Sequence, residues 1–151
     1  MDWPSNTRPR GTSDESSSFR SFIVYLSTQP MVDPCRTTTS GTGFTVRCGW
    51  PLERLEGGGI LAWWTTNGSA SWSFEQDARG RPITVGGRPA KLLVRSGCRF
   101  VGGEVAMTAV IPYPTLPDNW YELDACIRGP RTDLAEAQIR ALLDSTSFPG
   151  G

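Results

Sequence analysis

Apolar and polar residues alternate in several short stretches of the second half of the chain, and glycine or proline residues separate these stretches. Alternation with a period of two is typical of half-buried β-strands. The predicted strands are 83–85, 90–95, 98–101, 104–111 and 120–128. Two of them form a predicted hairpin about Gly102-Gly103, with one face made by Phe100, Val105, Met107, Ala109 and Ile111. The pattern therefore indicates an antiparallel sheet of short strands.

The first half of the chain carries fewer such signals. Residues 21–34 predict a first strand that ends at Gln29-Pro30, and residues 44–48 alternate as a half-buried strand should. The composition of 37–43, TTTSGTG, predicts a loop. Residues 1–20 contain few apolar side chains and are expected to be disordered. The remaining residues, 21–151, are predicted to form a single domain, because a chain of 151 residues is of ordinary domain size.

Residues 60–75, ILAWWTTNGSASWSFE, predict a hairpin with a two-residue turn at Asn67-Gly68. This turn sets a register in which Trp63 faces Trp72, while Trp64 lies on the opposite face among Ser and Thr residues. A Trp exposed in that setting suits binding to a flat ligand such as a sugar ring or a peptide. The alternative, which we favour, is that the N-terminal arm or a second element of the protein covers Trp64.

A C-terminal helix follows the last predicted strand. Asp133 as N-cap and Glu136 three residues later match a capping box. A helical stripe of apolar residues follows, made by Ala135, Ile139, Leu142 and Leu143. The predicted fold class is therefore α+β, an antiparallel sheet of short strands and hairpins covered by a C-terminal helix.

Six cations lie between residues 78 and 102 without an acidic residue among them. They are Arg79, Arg81, Arg88, Lys91, Arg95 and Arg99. We select Arg88, Lys91 and Arg95 as candidate residues of a local anion site, and Trp64 as a separate candidate binding residue. The alternative, which we favour, is a solvated sheet face that Asp118, Glu122 and Asp124 partly neutralise.

Composition argues against several functional classes. The chain has no histidine, which removes the usual general base and the commonest metal ligand. The formal net charge is zero, so no overall basic field attracts nucleic acid. We therefore expect a protein that is not an enzyme, has no cofactor or metal, does not bind nucleic acid and is a monomer.

The four cysteines, Cys35, Cys48, Cys98 and Cys126, allow three disulfide pairings. We favour two disulfides over reduced thiols, and over a zinc site because no close cysteine pair is present. The pairing of nearest neighbours closes short loops. In strict alternation, however, Cys98 and Cys126 point to different faces, so that bond needs a register break near Cys126.

Disulfides indicate an extracytoplasmic location, in the cell envelope or secreted. Residues 22–26 form the only apolar run near the start and are too short for a signal peptide, and no stretch is long enough to span a membrane. Either the chain is a mature or excised extracytoplasmic domain, or the disulfide prediction is wrong.

Several short motifs occur in an order that resembles a known family. They are Asp33-Pro34-Cys35, Cys48-Gly49-Trp50, Gly87-Arg88-Pro89-Ala90, Cys98 and Asp124-Ala125-Cys126. The chain from about Pro30 resembles small actinobacterial cell-envelope lipoproteins of unknown function that carry a four-cysteine sheet-plus-helix domain. It departs from them because no lipobox cysteine precedes the domain and Ala125 stands where proline is frequent. The resemblance implies a fold and a location but no catalytic residues.

Three functional hypotheses remain open. The leading one is a non-enzymatic extracytoplasmic domain that binds an envelope component or a protein partner. The second is a hydrolase that acts through paired carboxylates, Glu122 and Asp124, with Tyr121, because such pairs perform glycoside hydrolysis. The third is a sensor or stalk domain of a larger membrane protein.

Overall fold

The structure is a computed structural model that describes residues 5–9 and 22–148. The strands and the helix of this part of the chain are β1 (Ser5–Pro9), β2 (Phe22–Ser27), β3 (Cys35–Ser40), β4 (Gly43–Cys48), β5 (Ile60–Gly68), β6 (Arg81–Val85), β7 (Arg88–Cys98), β8 (Gly103–Pro112), β9 (Asn119–Ile127) and α1 (Thr132–Asp144). The β1 strand belongs to the segment expected to be disordered. The rest of residues 1–20 lies outside the described residues.

The strands of the described residues form two antiparallel sheets. Seven strands make the main sheet in the order β1-β2-β5-β9-β8-β7-β6, and β3 pairs only with β4. The helix α1 packs near β9 and β6. The predicted α+β class, a mainly antiparallel sheet with one C-terminal helix, is confirmed at this level.

One face of the main sheet, here called the helix face, carries the larger core cluster. Alternation places Leu123, Ala125 and Ile127 of β9 on this face beside apolar residues of β5, β7 and β8. The helix contributes Ala135, Ile139 and Leu143, which are all buried in the same cluster. The predicted apolar faces of β9 and α1 are therefore confirmed for these residues.

The opposite face, here called the disulfide face, carries a second and smaller cluster. Its buried residues are Leu55, Leu61, Cys98, Val101, Ala106 and Cys126. Trp50 and Leu52, from the connection between β4 and β5, pack against it. The backbone N–H of Leu55 donates to the carbonyl of Val101 at 2.8 Å, which fixes this connection over the sheet.

The predicted hairpin at 60–75 is wrong. Strand β5 runs straight through Asn67-Gly68, and these two residues pair with Trp120 and Asn119 of β9. On its other side β5 pairs with β2, so that no strand follows Gly68 to return along it. Pairing of β5 with β9 along its whole length outweighs the local turn preference of Asn-Gly.

The predicted loop at 37–43 is also wrong, because its first four residues lie in β3. Strands β3 and β4 form a hairpin in which Ser40 pairs with Gly43. Gly41 adopts a positive φ of 56° in the two-residue turn, which a residue without a Cβ tolerates. Three successive Thr residues suit an extended backbone, since β-branched side chains favour strands.

The predicted capping box of the helix does not form. The N-cap is Arg131, and no side chain caps the helix. Asp133 lies in the first turn, where its carboxylate accepts hydrogen bonds from the Arg131 guanidinium at 3.2 Å. The acid still stands near the positive end of the helix dipole.

Both nearest-neighbour disulfides are present, Cys35–Cys48 and Cys98–Cys126. The interruption that the second bond needs lies at Gly97 and not near Cys126, which lies inside β9. The pairing of β7 with β8 keeps one register on both sides of Gly97, and only Gly97 itself has no partner there. Gly97 has a positive φ of 78°, a backbone conformation that only glycine adopts readily. It interrupts the alternation of β7 and turns Cys98 to the disulfide face, where Cys126 already points.

Candidate functional site

A groove of about 600 Å³ opens on the disulfide face over β7, β8 and β9. The register of the sheet explains its floor, because Leu93, Thr108, Asp124 and Trp63 are direct neighbours across four strands. Glu122 lies two residues before Asp124 on the same face. The exposed residues at the rim are Arg95, Ser96, Gly97, Arg99 and Phe100.

Asp124 is the half-buried acid at the centre of this floor. Its Oδ1 accepts a hydrogen bond from Thr108 Oγ1 at 2.6 Å. Burial raises the pKa of Asp124 to about 6, the nearby Glu122 adds to the increase, and the Thr108 hydrogen bond and the charge of Arg95 oppose it. The Asp124 carboxyl group therefore changes its protonation state at a pH only slightly below neutral.

Glu122 is held by two donors from the edge of the groove. Its Oε2 accepts from Trp120 Nε1 at 2.9 Å and from Arg79 Nη1 at 3.2 Å. Arg79 also pairs with Asp77 at 2.7 Å. Its guanidinium holds the pKa of Asp77 well below the usual range. This network fixes the Glu122 carboxylate in one orientation.

Aromatic rings form one wall of the groove. Trp63 is half-buried, and its ring lies edge-on to Trp50 with 4.9 Å between centroids. Trp50 in turn contacts Phe100 at 4.9 Å. Phe100 leaves 62% of its surface exposed, and it does not share the face of Val105 and Met107 as predicted. The turn after Cys98 carries it to the groove instead.

Trp64, the first predicted binding residue, is not exposed on a polar face. It belongs to the helix face, where Leu123 is its neighbour on β9. Its ring meets Phe148 edge-on, with centroids 6.3 Å apart. Arg88 lies over the same Phe148 ring at 5.1 Å. The C-terminal segment therefore covers Trp64, which was the alternative drawn from the sequence.

The other two predicted binding residues, Lys91 and Arg95, do not lie at one site. Lys91 Nζ donates to the carbonyl of Phe74 at 2.5 Å and to the carbonyl of Asp77. It also lies 4.7 Å from the centre of the Phe74 ring, so it holds the connection between β5 and β6. Of the four candidates, only Arg95 lines the groove.

Thr108 and Phe100 were not selected from the sequence as site residues. Alternation alone placed Glu122 and Asp124 on one face, and this signal was correct. The pairing of Thr108 with Asp124 depends on the register between β8 and β9, which only the folded sheet defines. Tyr121 lies on the helix face, where it stacks on Tyr113 with 4.1 Å between centroids, and takes no part in the carboxylate pair.

No protein-family model, curated protein or solved structure matches the chain at a significant level. The resemblance to actinobacterial lipoproteins therefore stays a prediction. Within the part of the chain that the structure describes, no helix is long and apolar enough to cross a membrane.

Proposed function

We propose that this chain is a non-enzymatic, extracytoplasmic binding domain that holds a hydroxyl-rich component of the cell envelope in the groove of the disulfide face. One observation carries the proposal: a carboxyl pair, the exposed Arg95 and Arg99, and an exposed aromatic ring surround the same open volume. Ligand sites are typically concave and mainly apolar, with a few polar groups that fix orientation.

The two disulfides support the location. Disulfides persist in oxidising compartments such as the cell surface and are rare in a reducing cytosol. Cys35–Cys48 joins the paired strands β3 and β4, and Cys98–Cys126 joins β7 to β9 across β8 within a core cluster. The resemblance to envelope lipoproteins points to the same compartment.

The polar groups suit a saccharide. Carboxylate oxygens of Glu122 and Asp124 accept hydrogen bonds from hydroxyl groups, and the guanidinium groups of Arg95 and Arg99 donate to them. Neither arginine forms an ion pair with a described residue. Phe100 offers a flat apolar surface for a sugar ring at a low cost in conformational entropy.

A titration with soluble oligosaccharides, neutral and carboxylate-bearing, tests this proposal, with the fluorescence of Trp63 and its neighbours as the signal. We expect Phe100→Ala and Arg95→Ala to weaken binding by about tenfold each, as loss of a central contact does. Leu134→Ala is the matched control, because Leu134 is an exposed apolar residue on the helix. Saccharide binding that is unchanged in both groove variants, or absent in the wild type, would overturn the proposal.

A second candidate is a hydrolase that uses the carboxylate pair, and the raised pKa of Asp124 favours it. Glu122 and Asp124 lie two residues apart on one face of β9, and Glu122 contributes to the raised pKa of Asp124. Turnover of chromogenic ester, amide or glycoside substrates by the wild type, and its loss in Asp124→Asn, would establish this candidate in place of the first.

A further inference from the structure

The β3–β4 hairpin is the most exposed regular element among the described residues. Every residue from Arg36 to Arg47 is exposed, and Phe44 and Val46 leave 75% and 50% of their surfaces in solvent. The hairpin pairs with no other described strand, so β3 and β4 each present one free edge. A free strand edge is a template for pairing with another extended chain.

The two faces of the hairpin differ in chemistry. Register places Phe44 and Val46 on one face, opposite Thr39 and Thr37. The other face carries Arg36 directly opposite Arg47. Like charges that face each other across two strands destabilise a sheet, and no acidic residue occurs between Cys35 and Cys48. Neither arginine is ion-paired with a described residue.

The direction of the backbone groups follows from the register. Cys35 and Cys48 are 4.0 Å apart at Cα, the short spacing of a pair that does not exchange hydrogen bonds. Alternation then makes Val46 and Phe44 non-hydrogen-bonded positions within the hairpin. Their N–H and C=O groups point out from the free edge of β4. The N–H and C=O groups of Thr37 and Thr39 likewise point out from the free edge of β3.

We propose that the free edge of β4 binds an extended segment of a partner protein in which acidic and apolar residues alternate. Strand addition supplies main-chain hydrogen bonds, and alternate side chains contact the two faces. Apolar residues of the segment lie beside Phe44 and Val46, and acidic residues lie on the face of Arg47, with Arg36 one strand further away on the same face. A second copy paired along β4 would offer no acidic residue of its own hairpin to these arginines, so charge favours an acidic partner. This site is independent of the groove.

The test uses a fluorescent synthetic peptide in which Glu and Val alternate, with two controls: a peptide of the same composition arranged in blocks, and a peptide in which Lys replaces Glu. We expect only the Glu-Val peptide to bind, and added salt to weaken its binding because the arginines contribute through charge. Arg47→Glu should reduce the affinity by about tenfold or more, since it turns an attraction into a repulsion.

Proline substitutions separate the two edges. Val46→Pro removes the outward N–H of β4 and should reduce the affinity by about tenfold or more, whereas Thr37→Pro removes the equivalent donor of β3 and should bind as the wild type does. Thiol alkylation verifies that Cys35–Cys48 forms in each variant. Hydrogen exchange of the wild type gives a readout without substitutions: the peptide should protect the amides of Phe44 and Val46 and not those of Thr37 and Thr39.

Several outcomes would overturn the proposal. They are equal binding of the block peptide, wild-type affinity in Val46→Pro, protection confined to β3, and concentration-dependent self-association that the peptide does not reverse. Binding to vesicles of anionic lipid without binding to the peptide would indicate that Arg36 and Arg47 contact a membrane surface instead of a partner protein.

Discussion

The molecule uses a disulfide in two opposite settings. Cys98–Cys126 joins β7 to β9 inside the core of the disulfide face, where the two residues are 6% and 1% exposed. Cys35–Cys48 closes the base of a hairpin whose side chains lie in solvent. In the first setting the bond adds to a packed core, and in the second it replaces a core that the hairpin lacks. The comparison predicts that only the first bond is coupled to global unfolding.

Removal of the core bond tests the comparison with the largest effect. Cys98→Ala with Cys126→Ala should lower the free energy of unfolding by about 4 kcal/mol, because the bond closes a loop of 28 residues in the unfolded chain. Urea denaturation followed by Trp fluorescence measures it. A loss below about 1 kcal/mol would show that the sheet holds without the bond.

Truncation of one apolar residue in each region gives the next largest difference. Leu55 is fully buried on the disulfide face, so Leu55→Ala should cost about 2–4 kcal/mol through lost contacts and a cavity. Phe44→Ala removes a larger side chain from the hairpin, yet it should change stability by less than about 0.5 kcal/mol because that side chain is mostly exposed. Thermal and urea unfolding of both variants measure the contrast. Comparable losses would mean that the hairpin packs against the domain in solution.

The same contrast explains which features were predictable from sequence. The apolar positions of β9 and α1 follow a strict period, and packing preserved them, so Leu123, Ile127 and Ile139 are core residues as predicted. The prediction of a hairpin at Asn67-Gly68 was wrong because a local turn preference competes with pairing along an entire strand. Only the fold decides that β9, distant in sequence, lies beside β5.

The candidate site was predictable in part for the same reason. Alternation in β9 is enough to place Glu122 and Asp124 together. The partners that oppose the raised pKa of Asp124, Thr108 and Arg95, come from other strands and depend on register. The covering of Trp64 could not be located from sequence, because Phe148, the residue that covers it, lies far away in sequence.

Charge distinguishes the two regions as well, because the sheet partly buries a carboxyl group while the hairpin keeps its arginines in solvent. The pKa of Asp124 is about 6 in the folded protein and lower in the unfolded chain, so the folded state binds more protons between about pH 4 and 6. Stability should therefore fall as the pH rises through this window. Asp124→Asn should remove the loss and stabilise the protein by about 1–3 kcal/mol at neutral pH, with little change near pH 4.

Urea denaturation of the wild type and Asp124→Asn across this pH range measures the difference. Asp144→Asn is the control, since Asp144 is exposed at the end of α1. A gain in stability that does not vary with pH would mean that the carboxyl group is not protonated preferentially in the folded state.

Removal of the hairpin bond should have the smallest global effect. The Cys35–Cys48 bond spans 13 residues and would be worth about 3 kcal/mol if the hairpin unfolded together with the sheet. Because the hairpin contributes no residue to the buried part of either core cluster, we expect it to open locally instead. Cys35→Ala with Cys48→Ala should then shift the global free energy of unfolding by less than about 1 kcal/mol, while the amides of β3 and β4 lose their protection from hydrogen exchange. A decrease of about 3 kcal/mol in the global free energy of unfolding would show that the hairpin unfolds together with the sheet. The two disulfides would then differ in position but not in role.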